Sequence, residues 1–308
     1  MSIATNSATT GAAEPHMFWR RFRRNRPAMA SAAVLALIAL AGLLAPAFEA
    51  MLGVDATRVD LFNQYAPPDA THWLGTDEAG RDVFVRLLYG GRISLLVGLV
   101  AALGAATIGT AIGLLAGYYG GRLDTLLMRT TDGVIALPLL PLLIVLAAVD
   151  LEKLGVPGAV ANSELASLYR IVFIIALVGW TTVARLVRAG TLSIRAREFV
   201  RSAEAMGARP SVIMLRHILP NVVSPIIVAT TLSIGVVILL ESVLSFLGLG
   251  IQPPIPSWGN MLTNAQELAT RAPALAVGPG AVIFVTVMAF NFLGDGLQDA
   301  LDPRATRR

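Results

Sequence analysis

Six apolar stretches, at residues 28–48, 93–117, 131–149, 171–186, 222–240 and 277–294, divide this chain. Crossing the hydrocarbon of a bilayer takes roughly 20 residues of helix, because only a structure that closes its own backbone hydrogen bonds is tolerated where water is absent. The pattern therefore predicts an all-α membrane protein with six transmembrane helices. The charge content agrees: 14% of the residues are charged, against about 25% in soluble domains. The first stretch, with Ala45-Pro46-Ala47 near its end as a poor small-residue cleavage site, has some features of a signal peptide, but its length favours an uncleaved span.

The basic residues set the orientation. With the amino terminus inside, 17 of the 24 Lys and Arg fall in the cytoplasmic pieces, the asymmetry expected of an inner-membrane protein with both termini in the cytoplasm. The net charge of +4 therefore reads as topology and not as nucleic-acid binding. The chain divides into a disordered basic tail (1–27), a first transmembrane helix (28–48), and an outer loop (49–92) with an amphipathic helix at Asp82, Val83, Val85, Arg86, Leu87 and Leu88. A five-helix core (93–295) containing a cytoplasmic loop (187–221) and a short cytoplasmic tail (296–308) complete it.

No catalytic or metal site is expected. The chain has no cysteine, and His16, His72 and His217 lie far apart. Asp77, Glu78 and Asp82 sit beside Arg81 and Arg86, which suits a solvated ion-pair network better than acid–base chemistry. Gly248-Leu249-Gly250 has neither the preceding strand nor the third glycine of a nucleotide loop, and the single lysine, Lys153, lacks the glycine-rich setting of a phosphate-cradling loop. Any ATP must be bound by other subunits.

Two features remain. Glu241, near the outer end of the fifth span, faces an aqueous path or a helix partner, or else reaches the headgroups. Residues 198–221 form a polar insert: Ala203 to Met206 suit a helix, Gly207 a turn, Pro210 the start of a second helix, and Pro220 its stop. Val212, Ile213, Leu215, Ile218 and Leu219 make that second helix too apolar for water, while Arg209, Arg216 and His217 keep it out of the bilayer. It is either a membrane-surface amphipathic loop or a docking segment for another protein.

The insert resembles the "EAA" loop of ABC-importer permeases. In register, Arg201, Ser202 and Ala203 stand at Glu-Ala-Ala, followed by Gly207 and then Leu219-Pro220; Arg201 replaces the Glu. Three further stretches, HWLGTDEAGRDVFVRLLYGGRIS (72–94), ESVLSFLGLGIQPPIPSWGNML (241–262) and NFLGDGLQDALDPR (291–304), are similar to signatures of the peptide/nickel branch. The resemblance implies a type I ABC importer permease fold and a C-type permease subunit for di- or oligopeptides. It also implies a coupling helix made by Arg201, Ser202, Ala203, Glu204, Ala205, Gly207, Ala208, Arg209, Leu219 and Pro220. Implied partners are a second, related permease, two cytoplasmic ABC ATPases that bind the ATP, and an extracytoplasmic binding protein. A nickel importer of the same branch is the alternative; an ion-coupled secondary transporter would show inverted repeats and midplane acids.

Overall fold

The apolar stretches fold as long helices, in a computed structural model that describes residues 15–161, 163–263, 265 and 272–301. Helix α1 (Pro15–Arg24) leads through Asn25 into α2 (Arg26–Leu43), followed by α3 (Ala45–Leu52), α4 (Val83–Tyr119), α5 (Gly121–Ala136) and α6 (Leu139–Ala148). After a loop come α7 (Ala166–Gly179), α8 (Thr181–Arg195), α9 (Glu198–Ala205), α10 (Leu219–Phe246) and α11 (Pro273–Leu301). Among the described residues, five helical stretches are long and apolar enough to cross a membrane, and the α5–α6 pair, bent by 89°, makes a sixth if counted as one span. Among the described residues the only β pairing is an isolated bridge between Thr76 and Asp82.

The expected span at 131–149 is thus a broken one. Leu137 takes an extended conformation (φ −77°, ψ 138°), as a residue preceding proline does, and the chain turns before α6 begins. The amphipathic helix expected before the second span is not separate from it. Asp82 caps α4 by accepting the Val85 N–H at 2.7 Å, and α4 runs on for 37 residues, roughly 55 Å. The tail expected to be disordered through residue 27 is helical over α1, because Phe18 and Phe22 lie one turn apart and pack on Ala28 and Ala300; residues 1–14 lie outside the described part. At the other end, α11 carries the last span past residue 294 to Leu301, and the remainder of the expected tail also lies outside it.

The core is organised around α4. Gly109, Gly113 and Gly117 form a one-turn-spaced seam against α8; a Cβ on Gly113 would sit 2.6 Å from the Ala184 carbonyl oxygen and 2.7 Å from the Val187 Cβ. Backbones that approach this closely are held by van der Waals packing, the main attraction available between helices in lipid. Two ion pairs tie α8 to α5: Arg188 to Asp124 through two bonds of 2.5 and 2.7 Å, and Arg185 to Asp132 at 2.5 Å. Arg129 lies only three residues before Asp132, but it is tertiary packing that supplies the partner of that carboxylate, Arg185. Large apolar side chains such as Phe173, Phe284 and Val145 remain exposed, as befits surfaces that face lipid or another subunit.

Candidate functional site

The polar insert folds as two helical pieces around Gly207. Along α9, Val200 and Ala203 point inward and are buried with Tyr118, Ile213 and Ile218, so this short helix is docked against the end of α4. Gly207 takes φ +79°, its N–H binds the Glu204 carbonyl at 3.0 Å, and the Ala208 N–H reaches back to Ala203 at 3.1 Å. This pair of bonds is a Schellman cap, which needs a left-handed residue at the turn. Arg209 then takes the extended conformation and Pro210 opens the next helical turn.

The second piece departs from expectation. Pro220 does not stop it: the helix passes through a π turn (Ile213–Ile218) straight into α10, with Pro220 in the first turn of α10. Such a turn is one place where a helix accommodates a residue that cannot donate to the i−4 carbonyl. Nor do the five apolar residues form one docking face. Ile213 and Ile218 are buried within the chain, whereas Val212 and Leu215 are exposed. On the outside of the insert, Phe199 and Met206 join them, with Arg201, Ser202, Glu204, Ala205, Gly207 and Arg209 also exposed and Ala208 and Leu219 half-buried. Glu204 lies 4.0 Å from Arg195, whose guanidinium stacks over the Tyr118 ring.

Beside the insert opens a cavity of 2370 Å³. Arg197, Glu198, Phe199, Pro220 and Asn221 line the part nearest the insert, and Thr182, Ser224, Ser233 and Asn291 line it further along. Among the described residues its charged lining is Arg197 and Glu198. Ser233 donates to the Ala229 carbonyl and the Asn291 amide to that of Val287, so these polar groups satisfy their own helices, as Ser, Thr and Asn do in membrane helices. The α10 positions Asn221, Ser224 with Pro225, Val228 with Ala229, Leu232 with Ser233, Val236 with Val237, and Leu240 recur about once per helical turn, a stripe that an almost uniformly apolar sequence does not distinguish from its lipid-facing side.

Glu241 lies outside that lining. It is fully buried and accepts hydrogen bonds from Ser245 at 2.7 Å, Ser257 at 2.9 Å and Ser94 at 3.2 Å. Each hydroxyl in turn accepts a backbone N–H of the 247–263 segment: Ile251 on Ser245, Asn260 on Ser257 and Trp258 on Ser94. A helix-partner role fits this placement, and a headgroup contact does not. Trp258 is likewise buried, its indole N–H on the Leu87 carbonyl at 3.0 Å. The signature at 241–262 is thus a knot joining α10 to α4.

The 72–94 signature makes a second knot. His72 pairs with the capping Asp82 at 2.9 Å, and Asp77 binds both Arg81 at 2.8 Å and Arg86 at 3.3 Å. Asp82 and Arg86 are buried, so the network is internal and not solvated. Backbone N–H groups of His72 and Thr71 hold the Asp69 carboxyl below the usual carboxylate range.

Residues 109–307 match the family model of the binding-protein-dependent transport system inner membrane component. The chain belongs to that family. Residues 16–68 also match the N-terminal TM domain of oligopeptide transport permease C. Glutathione transport system permease protein GsiD of Pectobacterium atrosepticum is 43% identical over 292 residues, covering 93% of this chain and 90% of that protein. Its counterpart in Escherichia coli O157:H7 is 44% identical over 290 residues, covering 94% and 90%. Dipeptide transport system permease protein DppC of Alkalihalophilus pseudofirmus is 38% identical over 286 residues, covering 93% and 88%. As an inner-membrane component of this family, the chain is a multi-pass transport permease.

Proposed function

We propose that this permease is one half of the translocation path of an ATP-driven importer of di- and oligopeptides. The observation that carries the reading is that the Gly207 insert and the cavity share their boundary: Glu198, Phe199, Pro220 and Asn221 belong to both, and Arg197, just before the insert, lines the cavity as well. A push on the insert is therefore a push on the cavity wall. The exposed side chains Phe199, Met206, Val212 and Leu215 give a partner ATPase an apolar surface. Arg201, Ser202, Ala203, Glu204, Ala205, Gly207, Ala208, Arg209, Leu219 and Pro220 make up the coupling segment.

ATP is bound by two cytoplasmic ATPases, and their closure on ATP moves the insert and tilts the helices around the cavity. A second, related permease closes the other side of the path, and an extracytoplasmic binding protein delivers the substrate. The concentration of arginine at the insert side supports placing both termini and the insert in the cytoplasm. Among the described residues the lining has Glu198 as its one carboxylate and no imidazole, which suits peptide bonds better than a nickel ion.

The test is uptake of labelled dipeptides, oligopeptides and nickel in cells lacking this chain, with and without ATP depletion. Loss of ATP-dependent peptide uptake is expected. Loss of nickel uptake alone would overturn the substrate, and transport that survives ATP depletion would overturn the coupling to an ATPase.

A further inference from the structure

The helix preceding the first span carries a surface that the transport reading leaves unused. From residue 15 to residue 26 the chain holds Arg20, Arg21, Arg23, Arg24 and Arg26 and no acidic residue. Within α1 the residues sort by face. Phe18 and Phe22, stacked at 6.0 Å, pack on Met29, Leu293, Leu297 and Ala300, holding the helix to the ends of α2 and α11. Trp19, Arg20, Arg23 and Arg24 are exposed, and the Arg23 guanidinium lies 5.3 Å from the centre of the Trp19 ring.

Among the described residues, Arg20, Arg23, Arg24 and Arg26 form no ion pair. Asp299, a carboxylate on α11 at this corner, takes the Asn25 amide at 3.2 Å. Asn25 also caps α2, accepting the Ala28 N–H, so α1 ends one residue before a membrane span begins. A helix of this length, roughly 15 Å, fixed there by its apolar face, lies within reach of the headgroup layer. Tryptophan is enriched at that depth, and guanidinium groups bind phosphate oxygens in pairs.

We propose that the exposed face of α1 binds the anionic phospholipid headgroups of the bilayer surface. The inference rests on the chain crossing the membrane and on no statement about substrate, ATPase or sidedness. Each basic side chain held at an anionic surface is worth about fivefold in partition. The bound lipid ties the α1–α11 corner to the membrane surface.

The test uses the assembled transporter in vesicles of phosphatidylcholine mixed with phosphatidylglycerol, one lipid brominated at a time. The quenching of Trp19 is read as the difference between the wild type and Trp19→Phe. Brominated phosphatidylglycerol is expected to quench Trp19 more strongly than brominated phosphatidylcholine, with a preference that falls as salt is added. The triple variant Arg20→Gln, Arg23→Gln, Arg24→Gln should lose at least about tenfold of that preference, and the corresponding triple lysine variant should keep it. Equal quenching by the two lipids in the wild type, or an undiminished preference in an inserted glutamine variant, overturns the proposal. If the glutamine variant fails to insert, the wild-type preference and its salt dependence decide by themselves.

Discussion

Gly207 and Glu241 act through different physics. At Gly207 an added Cβ would meet no atom within 4 Å, so the position has space, yet φ +79° is a conformation that costs an ordinary side chain about 1–2 kcal/mol and a β-branched one more. Gly207→Val should therefore leave membrane insertion intact while releasing the Schellman turn. The expected result is ATPase activity no longer matched by uptake when both are measured in the same vesicles; wild-type coupling would count against the insert's role. At Glu241 the matter is hydrogen bonding. Glu241→Ala leaves three buried hydroxyls without their acceptor, and a buried unsatisfied group costs about 1–3 kcal/mol. A lowered unfolding temperature of the purified complex is expected, with Glu241→Gln, which keeps the shape, falling between. An alanine variant that melts like the wild type would show that the serine cluster does not hold the 247–263 segment.

Helices were legible where composition is extreme and less so where two elements meet. The Gly207 turn and the Pro210 start were readable because a positive φ and a missing N–H each select one residue type. The fate of Pro220 was not, because a π turn depends on the register at which the helix is already packed by Ile213 and Ile218. The seam of Gly109, Gly113 and Gly117 was present in the sequence as small residues four apart, a signal for close helix approach that passes unnoticed when glycine is read only as a breaker. Gly113→Ile should drive side-chain atoms into the Ala184 carbonyl and Val187, separating α4 from α8. Overpacking of this kind costs at least about 1–3 kcal/mol, more where the obstacle is backbone. Loss of folded protein in the membrane fraction, measured against a Gly133→Ala control that meets open space, is the expected readout.

At the scale of the whole molecule, the cavity is the feature that a partner must complete. Ser224→Trp would place an indole on its α10 wall. Peptide uptake should fall to background while binding of the ATPases persists, because the insert is untouched; simultaneous loss of both would mean that the substitution had disturbed the fold.

The sequence by itself determined a helical membrane protein, the glycine turn of the insert and the resemblance that set the family, since hydropathy, backbone conformation and motif spacing are local properties. Only the tertiary structure decided that Glu241 is a buried anchor outside the cavity, that Asp132 pairs with Arg185, and which stripe of α10 faces the cavity. In a chain whose spans are apolar on every side, hydrophobicity does not separate lipid-facing from inward-facing positions. Contacts between residues distant in sequence, such as Ser94 and Glu241, make that choice.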